Sequence, residues 1–137
     1  MIVVDAFSSD SIPVHLLTKQ AVQMYFEHLE DDGVLVLHIS NRYLDLKPVA
    51  ARIAQELGLA AVHQWDTDGG IPGKQSSEWV LVAKKRADFG SLLELTTEVE
   101  EDGKTVTRTR WDELKPGADD PLWTDDFTNL LQIFRWE

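Results

Sequence analysis

The sequence predicts an α/β fold. An open, largely parallel sheet occupies residues 1–87, a β-hairpin follows at about 93–111, and a closing segment spans 122–137, all within a single domain. Three observations predict it. Short β-branched apolar runs alternate with stretches of helical periodicity in the first part of the chain, the pattern of strands joined by crossover helices. The fourth strand candidate follows a loop rather than a helix, so it is expected to run antiparallel to the others. Two alternating polar–apolar runs flank Asp102-Gly103, a strong signal for a tight hairpin turn.

Taken in order, Ile2-Val3-Val4 is a buried strand that ends at Asp5. Ser8-Ser9-Asp10-Ser11 is a polar loop with several N-cap candidates, and Pro13 suits a first helical turn. Val14, Leu17, Ala21, Met24 and Tyr25 recur at helical spacing, which predicts a helix as far as Leu29. Asp31-Asp32-Gly33 breaks it, and Val34–Ile39 is the second buried strand. Asp45 caps a second helix with Pro48 in its first turn and Val49, Ile53 and Leu57 on one face, and Gly58 stops it. Ala60–Trp65 and Trp79–Ala83 are the next strands, separated by the loop Asp66–Ser77 with three glycines and one proline. Leu93, Leu95, Thr97 and Val99 alternate with polar residues, as does Thr105–Trp111, so one side of the hairpin faces water.

Composition narrows the function classes. The chain has 137 residues, 43% of them hydrophobic, enough for one core. Its net charge of −11 repels phosphate backbones, so nucleic acid is not an expected partner. No apolar run reaches the ~20 residues that span a bilayer, and Met1-Ile2-Val3-Val4-Asp5 lacks the basic region of a signal peptide. Cytoplasmic residence is the default expectation. Without cysteine there are no disulfides, thiolate ligands or thiol nucleophiles. His15, His28, His38 and His63 show no metal-site spacing, and His38 is read as a hydrogen-bonded structural residue. Trp79 is a core candidate, Arg42 can serve either a ligand or Asp45, and Asp125 and Asp126 are read as caps of the closing segment.

Ligands of open α/β sheets bind beyond the carboxyl ends of the strands. Asp5 ends the first strand and Asp10 lies in the loop after it. Two carboxylates there can grip a cationic amine, and one can take its proton. The same Asp10, followed by Ser11 and close to Pro13, also suits a helix N-cap. The residues alone leave both roles open, with capping first. Ser8 and Ser9 have no histidine at a motif spacing and no Gly-x-Ser-x-Gly elbow, which argues against a serine hydrolase.

Val3-Val4-Asp5-Ala6-Phe7-Ser8-Ser9-Asp10-Ser11-Ile12-Pro13 resembles the loop of spermidine-synthase-like aminopropyltransferases, which runs strand, Asp, Ser-Ser-Asp, Pro, here with Ala6-Phe7 as a short insertion. Ile71-Pro72-Gly73-Lys74-Gln75 through Lys84 resembles the segment leading into that family's last strand. His38-Ile39-Ser40-Asn41-Arg42-Tyr43-Leu44-Asp45-Leu46 and Trp123-Thr124-Asp125-Asp126-Phe127-Thr128-Asn129-Leu130-Leu131 are similar to the bacterial members often fused to a transporter-like membrane region. The resemblance covers most of residues 1–84 and 122–134 and omits the hairpin.

It implies the carboxyl-terminal half of a Rossmann-like, class I methyltransferase fold, beginning at that fold's fourth strand, with the last strand antiparallel. It further implies aminopropyl transfer from decarboxylated S-adenosylmethionine, a co-substrate rather than a tightly bound cofactor, to a small-molecule amine. Asp10 matches the family's catalytic base, Asp5 the aspartate that holds the amine, and Ser8 and Ser9 accompany them as substrate-binding positions. The chain departs from the family in two places. Gly73-Lys74-Gln75 lacks the tyrosine usually offered to the amine, and no Gly-x-Gly turn follows an early strand to hold a nucleoside. An isolated half is therefore not expected to turn over. Its first strand is expected to be covered by a second copy, by a separate amino-terminal half, or by the 93–111 hairpin. A non-catalytic binding or assembly module and an S-adenosylmethionine-dependent methyltransferase are the alternatives.

Overall fold

A computed structural model describes residues 1–7, 13–66, 72, 75–101 and 103–135. Its main sheet has five strands: β1 (Ile2–Val4), β2 (Val34–His38), β4 (Ser77–Ala83), β3 (Ala60–Asp66) and β7 (Asp112–Glu113), in that spatial order. Two helices, α1 (Lys19–Glu27) and α2 (Lys47–Glu56), link β1 to β2 and β2 to β3. β5 (Thr96–Glu101) and β6 (Lys104–Thr109) form the hairpin as a separate two-stranded sheet, with Gly103 at φ +74 in its turn.

The chain is mixed α/β as the alternation predicts, but the largely parallel sheet is not what forms. β1 and β2 pair parallel, whereas β2–β4, β3–β4 and β3–β7 pair antiparallel. The helix-linked strands β1, β2 and β3 do share one direction, as crossover connections require. β4 returns from β3 without a crossover and enters between β2 and β3, so it converts what would be a parallel neighbour pair into two antiparallel ones. Val80–Ala83 are buried there, as befits a central strand covered on both faces.

Register sorts the side chains into two layers. Ile2, Leu35, Val82 and Ala61 align across β1, β2, β4 and β3 and face the helices, where they join Phe7, Leu17, Ile53 and Trp123 in the larger core. Val3, Val36, Leu81 and Val62 form the adjacent row. That side is covered by the 3-10 segment Arg86–Glu94 through Phe89 and Leu93, and by Trp111. The cover stops short of β1, where Val3 is 52% exposed. Among the described residues no strand pairs with the outer edge of β1. The hairpin, one of its three expected occupants, pairs with itself instead.

The first helix also differs from its expected course. Val14–Leu16 is an isolated 3-10 turn, and α1 starts afresh after Thr18, whose extended backbone breaks the helical phase. Met24 consequently points outward and Val22 inward, while Leu17 and Ala21 of the expected face are buried and Val14 and Tyr25 are partly so. Thr18 is buried, its Oγ1 accepts from Ala21 N at 3.1 Å, and its hydroxyl donates to Asp125 Oδ1 at 2.6 Å. Asp125 thus braces the first helix, and Asn129 caps the closing Leu130–Ile133 turn in its place. Thr18→Ala removes both bonds and is expected to lower stability by about 1–2 kcal/mol, read as a reduced urea midpoint with unchanged m-value. An unchanged midpoint would show that the cap carries no weight.

The second helix follows its signals at Pro48, in the first turn, and at Gly58, which ends the helix region at φ +66. Its N-cap is Leu46 rather than Asp45, whose Oδ1 accepts from Lys47 N at 3.2 Å from one residue earlier. No helix among the described residues is long and apolar enough to cross a membrane.

Candidate functional site

The carboxyl ends of β1, β2 and β3 and the amino end of β4 lie at one end of the sheet. A cavity of about 400 Å³ opens there, lined by His38, Ser40, Asn41, Arg42, Trp65, Gln75, Ser76, Ser77 and Glu78. It occupies the place where open α/β sheets bind ligands.

Asp5 stands directly beyond β1 with its side chain 58% exposed, and Oδ1 meets His38 Nδ1 at 2.6 Å. His38 ends β2, so parallel pairing of these two strands brings the groups together. The other ring nitrogen, Nε2, lies 2.8 Å from Ser40 Oγ. Residues two apart on extended chain share a face, which is why His38 and Ser40 meet. Trp79, opposite His38 on β4, stacks on the imidazole at 4.3 Å between centroids and 19° between planes. Trp79 is therefore only partly a core residue; it also fixes the orientation of the histidine.

Ser40 Oγ accepts from Glu78 N at 2.7 Å, and Ile39 N donates to Glu78 O at 2.8 Å. The serine hydroxyl thereby extends the β2–β4 ladder by one rung. Asn41 ties two loops together. Its Nδ2 donates to Phe7 O at 2.9 Å, and its Oδ1 accepts from Tyr43 N and Leu44 N, each at 2.9 Å. Phe7 is fully buried. The residue just before the Ser8–Asp10 loop is thus anchored on its side chain and its carbonyl alike.

Beneath the cavity lies a buried carboxylate. The Glu78 side chain is 1% exposed; Oε1 accepts from His63 Nε2 at 2.9 Å and Lys47 Nζ at 3.1 Å, and Oε2 from Arg135 at 3.3 Å. Burial pushes this carboxyl up. Hydrogen bonds from His63 and Lys47, together with their charges, outweigh it and hold the group below its ordinary value. Arg135 arrives with the closing segment, which pairs with the loop after β2 through Asp45 N to Ile133 O and Arg135 N to Tyr43 O, both 2.8 Å.

Of the expected site residues, Asp5 lies at this end of the sheet. Asp10, Ser8 and Ser9 lie outside the described residues, as do most of the loop 67–74 and Asp102 of the hairpin turn. Arg42 lines the cavity, and its guanidinium sits 5.7 Å from the centre of the Tyr43 ring rather than on Asp45. His38 is hydrogen-bonded as expected, but through two side chains at the cavity rather than in a passive core position. Sequence reasoning placed Asn41 within reach of a ligand but gave no role to Ser40 or Glu78. A charge at the head of the apolar run Trp79–Ala83 was the available signal for Glu78, and the His38-x-Ser40 spacing that for the serine. Among the described residues no group of three or more His, Asp or Glu side chains gathers as a metal site would require.

Compared with protein families, with curated proteins and with solved structures, the chain matches none of them.

Proposed function

We propose that this chain is the acidic half of a spermidine-synthase-like aminopropyltransferase site, acting on a small-molecule amine with decarboxylated S-adenosylmethionine as co-substrate. Asp10 is the base, Asp5 holds the amine, and Ser8 and Ser9 complete the loop. The observation that carries this reading is the position of Asp5: it ends β1 with an exposed carboxylate at the ligand end of the sheet. The antiparallel β4 supports it, since the methyltransferase-like fold implied by the motifs has its last strand antiparallel. Asn41 supports it as well, because a residue of the His38–Leu46 motif anchors the stem of the Asp5–Ser11 motif.

No glycine-rich nucleoside turn lies within these 137 residues, so on this reading the cofactor side comes from an amino-terminal half outside them, which also covers the edge of β1. The chain alone is expected to bind methylthioadenosine no tighter than millimolar by calorimetry, and to transfer nothing. With a complementing amino-terminal half, transfer from decarboxylated S-adenosylmethionine to putrescine or a related diamine should appear, and Asp10→Asn should reduce it at least ~100-fold. Methyl transfer from S-adenosylmethionine in the same assay, without aminopropyl transfer, would replace this reading with the methyltransferase one. Absence of both would leave the assembly-module reading.

A further inference from the structure

We infer that Asp5, His38 and Ser40 form a proton relay that receives the proton of an ammonium group seated in the cavity, giving the site a base besides Asp10. The inference rests on the amine reading above for its substrate and on the hydrogen-bond geometry for its direction.

That direction is fixed at both ends. Glu78 N–H can only donate, and it occupies one lone pair of Ser40 Oγ at 2.7 Å. An ionised Asp5 carboxylate can only accept, and it lies 2.6 Å from His38 Nδ1. In neutral His38 the ring hydrogen therefore resides on Nδ1, Nε2 is bare, and the Ser40 hydroxyl donates to it across 2.8 Å. Every link then has one donor and one acceptor. The Trp79 stack and the low exposure of the His38 side chain (16%) keep the ring from turning to water.

Ser40 retains one lone pair, and the residue lines the cavity. An ammonium N–H placed against it can pass its proton to Oγ while the Ser40 hydrogen moves to Nε2. The N–H electron pair stays on nitrogen. The products are a neutral amine, a neutral serine and an imidazolium whose charge Asp5 balances. The freed lone pair then attacks the aminopropyl carbon of the co-substrate, whose carbon–sulfur bond breaks with both electrons going to sulfur. Trp65, 50% exposed on the cavity wall, offers the ammonium an aromatic face.

The test is nitrogen NMR of the histidine rings in the full chain, with putrescine as the probe and 1,4-butanediol as its uncharged counterpart. Expected are an Nδ1–H tautomer for His38, a change in its Nε2 shift with millimolar putrescine and none with the diol, and loss of that tautomer preference in Asp5→Asn. An Nε2–H tautomer in the wild type, or an imidazole indifferent to putrescine, would overturn the relay. Ser40→Ala also removes the acceptor for Glu78 N–H, so Ser40→Thr, which keeps the hydroxyl, is the paired variant and should restore the response. In the complemented enzyme His38→Gln should lower kcat at least ~100-fold with KM little changed. If His38→Gln transfers normally while Asp10→Asn does not, the relay fails and the aminopropyl reading stands. If the wild type transfers nothing yet His38 answers putrescine, the reading fails and the relay stands.

Discussion

Replacing Lys47 and Arg135 together with methionine is expected to destabilise the chain by about 3–5 kcal/mol, more than replacing Glu78 itself. The double variant leaves a carboxylate that is 1% exposed with only His63 in contact. Glu78→Gln removes the buried charge and keeps a polar group among its neighbours. Lys47 and Arg135 are each one-third exposed and recover water when the carboxylate is gone, so about 1–2 kcal/mol is expected for that variant. Urea unfolding at neutral pH should rank the three proteins wild type, Glu78→Gln, double variant. If Glu78→Gln proved the less stable of the two variants, the cationic partners would not be what makes the buried carboxylate tolerable.

Acid reinforces the comparison. Burial raises the Glu78 carboxyl, but His63 and Lys47 hold it net below its ordinary value of 4.5. A carboxyl depressed on folding contributes stability that is complete above its unfolded pKa and is lost as pH falls through the folded one. The Glu78 contribution in the wild type should therefore disappear below about pH 4.5. In the double variant desolvation dominates, and protonation relieves the buried charge. Its deficit relative to the wild type should shrink on acidification.

The second large effect is expected from Phe7→Ala, at about 3–5 kcal/mol. Phe7 is fully buried in the larger core although it lies outside any strand or helix. Its ring fixes the path of the chain leaving β1 while Asn41 holds its carbonyl. Phe7→Leu keeps most of the volume and should cost about 1 kcal/mol. A urea midpoint for Phe7→Ala equal to that of Phe7→Leu would show that the site collapses around the lost ring. The same pair also separates anchoring from chemistry: if the loop depends on the ring, a complemented Phe7→Ala enzyme should lose transfer beyond what its unfolded fraction explains.

How much was legible beforehand follows from which forces are local. Ile2–Val4, Val34–His38, Lys47–Glu56 and the hairpin are close to their expected places, because β-branched runs, a proline in a first turn and a left-handed glycine act through near neighbours. The order of the strands is not a local property. Nothing in Ser77–Ala83 states that it inserts between β2 and β3 rather than extending the sheet at its rim. The phase break at Thr18 was hidden because its side chain competes with a helical pattern that continues through Leu17 and Ala21. At the site, strand ends were readable and so was Asp5. Ser40 and Glu78 acquire their roles only through partners 38 residues apart in one case and 57 in the other. Single-residue cues do not carry such pairings.

The grip of Arg135 on Glu78 also sets a schedule. A polypeptide emerging in order brings Glu78 into place 57 residues ahead of the guanidinium that completes its shell. Until that stretch is synthesised, His63 and Lys47 alone partner this carboxylate, and its Oε2 is left to water. The end of the sheet where the cavity forms is then the last part to become dry.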